Sequence, residues 1–307
     1  VSNTIRIGTR DSQLALWQAT RVQQLLENAG HATELVHIKS EGDLDLVTPL
    51  YAMGVQGVFT KTLDAALLSD RCDIAVHSMK DVPTQLAQGI VQAAVLERAS
   101  HKDILVHKGD TSFLNSSNIH ATIATSSIRR KAQWWNRYPE HRIENLRGNV
   151  NTRLRKVAES DWQGAIFAAA GLERIDLRPE NAIDLDWMLP APAQGAIMIV
   201  CREADKNIFS ACAAFNDPIT ALCTKLERDF LRMLMGGCAT PISAFASVSE
   251  ETIHFNGNLL SLDGQTKLEV TQQAQLQDAE NLGILAAEEI LANGGTALIE
   301  AIRHAGL

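Results

Sequence analysis

The sequence predicts two α/β lobes followed by a smaller α+β domain, and three observations carry that expectation. Short apolar runs alternate with helical patterns in the order strand, helix, strand, which implies a parallel sheet with crossover helices. The same order begins again at Ala121. From about Pro218 the pattern changes to three alternating strands closed by an amphipathic helix, the mark of a half-solvated antiparallel sheet.

The elements follow in order. Ile5 to Gly8 reads as a strand, and Thr9, Arg10, Asp11 and Ser12 form a turn. A helix then runs to about Asn28, with Leu14, Trp17, Val22, Leu25 and Leu26 at helical spacing and Gly30 as its stop. Glu34 to Lys39 is a second strand, Gly42 to Gly57 a mobile loop, and Lys61 to Leu68 a helix. Asp73-Ile-Ala-Val-His-Ser-Met-Lys-Asp-Val-Pro83 is a short apolar run stopped by polar residues. Such a run reads as a buried strand of a parallel sheet, and Pro83 biases Val82 away from helix. In the second round Ala121 to Ala124 is a strand, and Ser126 to Arg130 opens a helix through Tyr138. Arg142 to Asn145 is a strand, Leu146 to Leu154 turns into a helix, and Gly164 to Ala168 is a strand leading to Ala169–Arg174. Ala196 to Val200 follows as an apolar strand after Leu189-Pro-Ala-Pro-Ala-Gln-Gly195. The last part reads as a helix from Pro218 through Leu234, strands Ile242 to Val248, Thr252 to Leu260 and Thr266 to Gln273, and a helix from Ala279 to Ala292.

Composition narrows the function. The 307 residues, 46% hydrophobic and 21% charged, are ordinary globular composition for two or three domains. No apolar run is expected to span a membrane. The start of the chain shows no basic flank followed by a hydrophobic core, so no signal peptide is expected. Cys72, Cys201, Cys212, Cys223 and Cys238 are odd in number and form no Cys-x-x-Cys pair, which argues against a disulfide framework and a zinc site. A reduced, cytoplasmic protein without a metal is the expectation. A net charge of −8 disfavours nucleic acid and membrane surfaces as partners. Yet Arg129 to Lys156 carries nine basic residues against Glu140 and Glu144. An arginine-rich segment in an acidic protein points to a small polyanionic ligand.

The candidate residues sit where strands end. Ser78, Lys80 and Asp81 lie at the carboxyl end of a strand, where open α/β sheets hold ligands. A lysine there can bind an acidic substrate, and an adjacent carboxylate can manage protons or developing cations; a solvated polar turn is the plainer alternative. Ser126, Ser127, Arg129 and Arg130 open a helix, where free N–H groups, hydroxyls and guanidiniums suit a carboxylate or phosphate. Arg147 and Arg153 flank a second such turn, with Gly148 allowing close backbone approach, and Arg10 with Ser12 forms a third. Together they read as a clamp for several carboxylates. Gly54-Val-Gln-Gly-Val-Phe-Thr-Lys-Thr62 fails as a phosphate loop, because Thr60 stands where glycine must precede the lysine. Cys238 follows two glycines and precedes a proline turn; a small buried hydrophobe is the bland reading of any lone cysteine.

Taken together the residues resemble the hydroxymethylbilane synthase (porphobilinogen deaminase) family of tetrapyrrole biosynthesis. The resemblance runs through Ile7-Gly-Thr-Arg-Asp-Ser12 with Leu14-Ala-Leu-Trp-Gln-Ala19, His77-Ser-Met-Lys-Asp-Val-Pro83 and Thr125-Ser-Ser-Ile-Arg-Arg130. It continues through Leu146-Arg-Gly-Asn-Val-Asn-Thr-Arg153, Ala170-Gly-Leu-Glu-Arg174, Pro192-Ala-Gln-Gly195 and Gly236-Gly-Cys238. It implies two periplasmic-binding-protein-like α/β lobes, 1–95 with 196–213 and 100–189, plus a cofactor-attachment domain at 218–307. It also implies a dipyrromethane held as a covalent thioether on Cys238. On that primer four porphobilinogen units are deaminated and joined in turn, and a linear tetrapyrrole is released by a monomeric enzyme.

The resemblance assigns Asp81 to the pyrrole N–H, where a carboxylate stabilises the electron-poor azafulvene left by loss of ammonia. Arg10, Ser12, Ser78, Lys80, Ser127, Arg129, Arg130, Arg147, Gly148, Arg153, Arg174 and Gln194 match its carboxylate-binding positions. The chain departs from the family at Ala52 and Gln56 in the glycine-rich loop, at Met235, at Ser243 after Pro-Ile, and at Val200. Those departures keep a low-activity paralogue in play. A two-lobed solute-binding protein and an RNA-binding protein using Arg129 to Lys156 are the rivals from other classes.

Overall fold

The computed structural model describes residues 4–39, 60–115, 119–234 and 240–305. The expected loop from Gly42 to Gly57, with Ala52 and Gln56, lies outside the described residues, and so do Met235 and Cys238. The described residues divide into two compact units: those within 4–39, 60–99 and 194–222 form the first, and those within 100–193 and 223–305 the second.

In unit 1, strands β1 (Ile5–Thr9), β2 (Thr33–His37), β3 (Ile74–Ser78), β4 (Ile90–Val95) and a late strand, Ile197–Arg202, build one sheet. The late strand stands between β3 and β4 and runs antiparallel to both, whereas β1 is parallel to β2 and β3. The sheet is therefore mixed rather than purely parallel. Helix α1 (Gln13–Asn28) buries Val22 and Leu26 among Ile5, Ile7, Ile74 and Val76. Helix α2 (Lys61–Leu68) buries Leu63, Ala66 and Leu67. Ser12 caps α1 by accepting a hydrogen bond from the Ala15 amide (3.3 Å), and Gly30 beyond its end has φ +88°, a left-handed value that glycine adopts without strain.

The first sheet of unit 2 repeats the plan. Its strands are β5 (Asp103–His107), β6 (Thr122–Ala124), β7 (Arg142–Glu144), β8 (Gly164–Ala168) and β9 (Ala182–Asp184), in the order β7-β6-β8-β5-β9. Here β5 is the strand that opposes its neighbours. The odd strand of each sheet thus comes from a neighbouring stretch of chain: β5 opens the second lobe, and the late strand β10 (Ile197–Arg202) returns to the first. Alternation along β5 sends Ile104 and Val106 to one core and Leu105 to the other, so the strand is buried on both faces. Helix α3 (Ile128–Arg137) ends one residue short of the expected Tyr138, because Pro139 disfavours helical geometry in the residue before it. Helix α4 (Val150–Glu159) and the short α5 (Ala169–Glu173) complete this part.

Strands β4, β5 and β9 and helix α6 (Lys206–Ala213) have no counterpart in the sequence reading. Each is short, and its partner lies far away in the chain, so no local period marks it. Helix α7 (Pro218–Met233) leads to an antiparallel meander, β11 (Ile242–Ser249), β12 (Thr252–Leu260) and β13 (Lys267–Gln275). Phe230 of α7 packs against Phe255 of β12, ring centroids 5.3 Å apart. The expected closing helix is two helices, α8 (Leu282–Ile290) and α9 (Thr296–His304), broken where Gly294 has φ +103°. By length and mean hydropathy (23 residues, 1.3) Leu282–His304 qualifies as a membrane span, against the expectation of none. Its break, and its packing of Ala286, Ala287 and Ile290 toward β12 and β13, are those of helices covering a sheet.

The β12–β13 turn seats on α3. Gly264 is buried with φ +72°, and its carbonyl accepts from Asn136 Nδ2 (2.7 Å). A Cβ there would stand 2.4 Å from the Ala132 carbonyl oxygen. Gly264→Ala is expected to lose about 1–3 kcal/mol through strain and overlap, read as a lower urea midpoint; an unchanged midpoint would show that the turn does not bear on α3.

Candidate active site

In unit 1 the candidate residues gather around the end of β3. Its first four residues are buried, and the chain then makes one 3-10 turn, Met79–Asp81. Met79 anchors that turn: its side chain is buried, its amide donates to the Ala196 carbonyl (3.0 Å), and its carbonyl accepts from Val82 (3.1 Å). The turn holds Lys80 half-buried and Asp81 exposed. Lys80 Nζ donates to Gln194 Oε1 (3.2 Å), and the Gln194 carbonyl accepts from Arg98 Nε (2.8 Å). Among the described residues the Asp81 carboxylate has no hydrogen-bond or ion-pair partner, so its oxygens remain acceptors for an incoming N–H.

Ser78 accepts from Gln18 Nε2 (2.8 Å), a buried side chain of α1. Arg10, half-buried, lies between β1 and the Ser12 cap. His77 is buried, and its Nε2 has no hydrogen-bond partner among the described residues. Burial, and then the charge of Arg10, push the His77 imidazole down to about 4. The ring is therefore neutral at pH 7 and adds no second cation beside Arg10.

In unit 2 two strand-to-helix turns carry the arginines. Ser127 caps α3, accepting from the Arg130 amide (3.4 Å), and Ser126 Oγ accepts from the Leu146 amide (2.9 Å), tying one turn to the next. Arg129 and Arg130, in the first turn of α3, are buried. Both pair with Asp103, which has no solvent exposure, at 2.7 Å each. Burial lowers the proton affinity of Arg129, with Asp103 opposing that shift. At the second turn Gly148 has φ +115°, Arg153 Nε donates to the Gly148 carbonyl (2.7 Å), and Lys156 Nζ donates to that of Arg147 (3.1 Å). Asn149 caps α4. Burial pushes the half-buried Arg174 down to about 10, so it stays charged at pH 7.

Asp103, Gln18, Arg98 and Glu227 escaped the sequence reading. Glu227 is fully buried and accepts from the amides of Ala193 (2.6 Å) and Ala246 (2.8 Å). It holds Ala193, whose φ is +63°, in the residue before Gln194. A carboxylate in an amphipathic helix reads as solvated, so nothing local signals this role. Two of the departures are also explained: Ser243 is buried and accepts from Gln133 Nε2 (3.1 Å), and Val200 is a core residue of β10.

Sequence and structure comparisons find relatives of this chain. Residues 5–210 match the family model "Porphobilinogen deaminase, dipyromethane cofactor binding domain", and residues 221–292 match "Porphobilinogen deaminase, C-terminal domain". A porphobilinogen deaminase of Syntrophotalea carbinolica is 42% identical over 305 residues, 98% of this chain and 96% of that protein. Those of Geobacter sulfurreducens and Desulforamulus reducens are 40% and 38% identical, covering 95% and 99% of this chain and 93% and 99% of theirs. Among solved structures, a nutrient binding protein from Burkholderia cenocepacia bound to methionine gives a TM-score of 0.43 at 16% identity, over 70% of this chain and 92% of that one. The VFT2 domain of Bordetella pertussis BvgS gives 0.42 at 12% identity, over 68% and 85%.

The buried histidine sets a pH dependence. Unfolded, His77 titrates near 6.5; folded, near 4. As pH falls between those values the unfolded chain takes up a proton that the folded chain refuses. Its contribution is thus full above about pH 6.5 and is lost toward pH 4, by about 3 kcal/mol. His77→Gln is expected to lose less stability than the parent between pH 7 and pH 4.5 in urea titrations; equal losses would count against a neutral buried imidazole.

Proposed function

The chain belongs to the porphobilinogen deaminase family, and from that premise we propose that it deaminates four porphobilinogen molecules in turn and joins them head to tail. The product is linear hydroxymethylbilane, and the enzyme is a transferase. The observation that carries the reading is Asp81: a carboxylate on a turn anchored by Met79, exposed, without a partner among the described residues.

Asp81 accepts the pyrrole N–H of porphobilinogen. The aminomethyl group reacts as its ammonium form: as the bond from the methylene carbon to that nitrogen breaks, the nitrogen takes the electron pair and leaves as ammonia. The ring nitrogen then becomes positive, and a carboxylate held against it stabilises the charge and receives its proton. Lys80, steadied by Gln194 (3.2 Å), meets a ring carboxylate without neutralising Asp81. Arg10, Ser12 and Ser78 serve the same substrate's acetate and propionate.

The dipyrromethane bears an acetate and a propionate on each ring, and the donor set of unit 2 fits such a group. Arg129, Arg147 and Arg153 are guanidiniums at or near helix starts, with Ser127 and the backbone at Gly148 beside them, and Arg174 caps the end of α5. Arg130 belongs with them through Arg129. When bound, the dipyrromethane supplies the free ring position that receives the first unit, and it stays with the protein at product release. The thiol that holds it is assigned to Cys238. The four described cysteines support that choice: all are buried, and burial pushes Cys72 and Cys201 up to about 11 and Cys212 to about 12. Protonated, enclosed thiols are poor nucleophiles.

The same reading keeps three domains, 1–95 with 196–213, 100–189 and 218–307, in a cytoplasmic monomer that binds neither nucleic acid nor membrane. The net charge of −8 supports the last point. Asp81→Asn keeps the shape and removes the charge. Turnover of porphobilinogen, followed by ammonia release, is expected to fall roughly 10²-fold or more with an unchanged melting temperature. Turnover near the parent's would overturn the role of Asp81, and an inactive parent would overturn the function.

A further inference from the structure

We propose that Asp103 is the positioning residue that sets the tandem arginines 129 and 130 for carboxylate binding, an inference that rests on the function proposed above. Asp103 opens β5 and is fully buried. Its Oδ1 accepts from Arg130 Nη2 (2.7 Å) and Nε (3.1 Å), and its Oδ2 accepts from Arg129 Nη2 (2.7 Å). Arg130 Nη1 donates to the Ile166 carbonyl (3.1 Å), so each guanidinium nitrogen of Arg130 is engaged inside unit 2. Arg129 is held at two points, Asp103 and the Leu189 carbonyl (2.7 Å).

Charge separates the two arginines. Among the described residues one carboxylate faces two guanidiniums, which leaves one positive unit over in a place where both arginine side chains keep less than a tenth of their exposure. A residue needed only to tie β5 to α3 would be matched by a single arginine. The second makes the cluster short of one anion, and a ligand carboxylate supplies it. Arg130 therefore acts as the fixed partner that aligns the carboxylate, and Arg129 as the cation that Asp103 aims. A guanidinium forks its donors in one plane, so its tilt decides whether a carboxylate is met by two bonds or one.

The alignment reaches the third domain. The Leu189 carbonyl that holds Arg129 also accepts from Gln133 Nε2 (2.9 Å), which in turn donates to Ser243 Oγ of β11 (3.1 Å). Ser243 thus ties the meander to the same helix that carries the arginines.

The test uses the full chain with Asp103→Asn and Asp103→Glu. The denatured intact mass gives the fraction of chains carrying two extra pyrrole units, and steady-state assays give KM for porphobilinogen and kcat per primed chain. Asp103→Glu keeps the charge but shifts the guanidiniums by about one methylene. It is expected to fold, to carry the primer on a smaller fraction of chains, and to raise KM about tenfold while kcat per primed chain falls less. Asp103→Asn is expected to do the same more severely, and if it fails to fold the glutamate variant decides. Parent-like priming and KM, or a lower melting temperature with parent-like KM per primed chain, would overturn the inference. A parent with no turnover would overturn the function itself, whatever the variants do.

Discussion

The carboxylate of Asp103, without solvent exposure and shared by Arg129 and Arg130, is the interaction on which unit 2 depends most. Three cohesive features meet there: the start of β5, the first turn of α3, and the carbonyls of Ile166 and Leu189. Taking charges out of water is expensive, and an ion pair repays it only when its geometry is good and its other donors are satisfied. Removing one partner from such a cluster costs about 3–5 kcal/mol. The chain accepts that exposure to damage for a reason that composition already hints at. A protein of net charge −8 can bind a polyanion only by concentrating and fixing its cations.

Unit 1 follows a different logic. Its candidate side chains are steadied by uncharged amides: Gln18 on Ser78 and Gln194 on Lys80. Neutral ties hold geometry without cancelling charge, and His77 is kept neutral by burial beside Arg10. The 3-10 turn after β3 then places a cation and an anion in adjacent residues that neither pair with one another nor sink into the core. That separation suits a reaction in which carboxylates must be held while positive charge grows on a pyrrole ring.

The sequence made the ends of strands legible. Apolar runs such as Ile74–Ser78 and Gly164–Ala168, and the helix starts after the Ser12 turn and at Ser126 to Arg130, are local signals, and the structure has strands and helices there. It did not reveal which strand lies beside which. The antiparallel insertions of β5 and β10 depend on contacts far apart in sequence. The burial of Arg129 and Arg130 was hidden for the same reason: Asp103 follows His101-Lys102 and looks solvated until β5 is placed next to β8. Glu227 was hidden by its helix, since its amide partners lie 34 and 19 residues away. Ser243 looked like a departure and is a bonded core residue.

The most direct measurement is the denatured intact mass of the purified chain beside its Cys238→Ser variant. The expected result is an excess equal to two linked pyrrole units on the parent alone. The same excess on both proteins, or none on the parent even after incubation with porphobilinogen, would contradict attachment at Cys238 and the primed mechanism built on it.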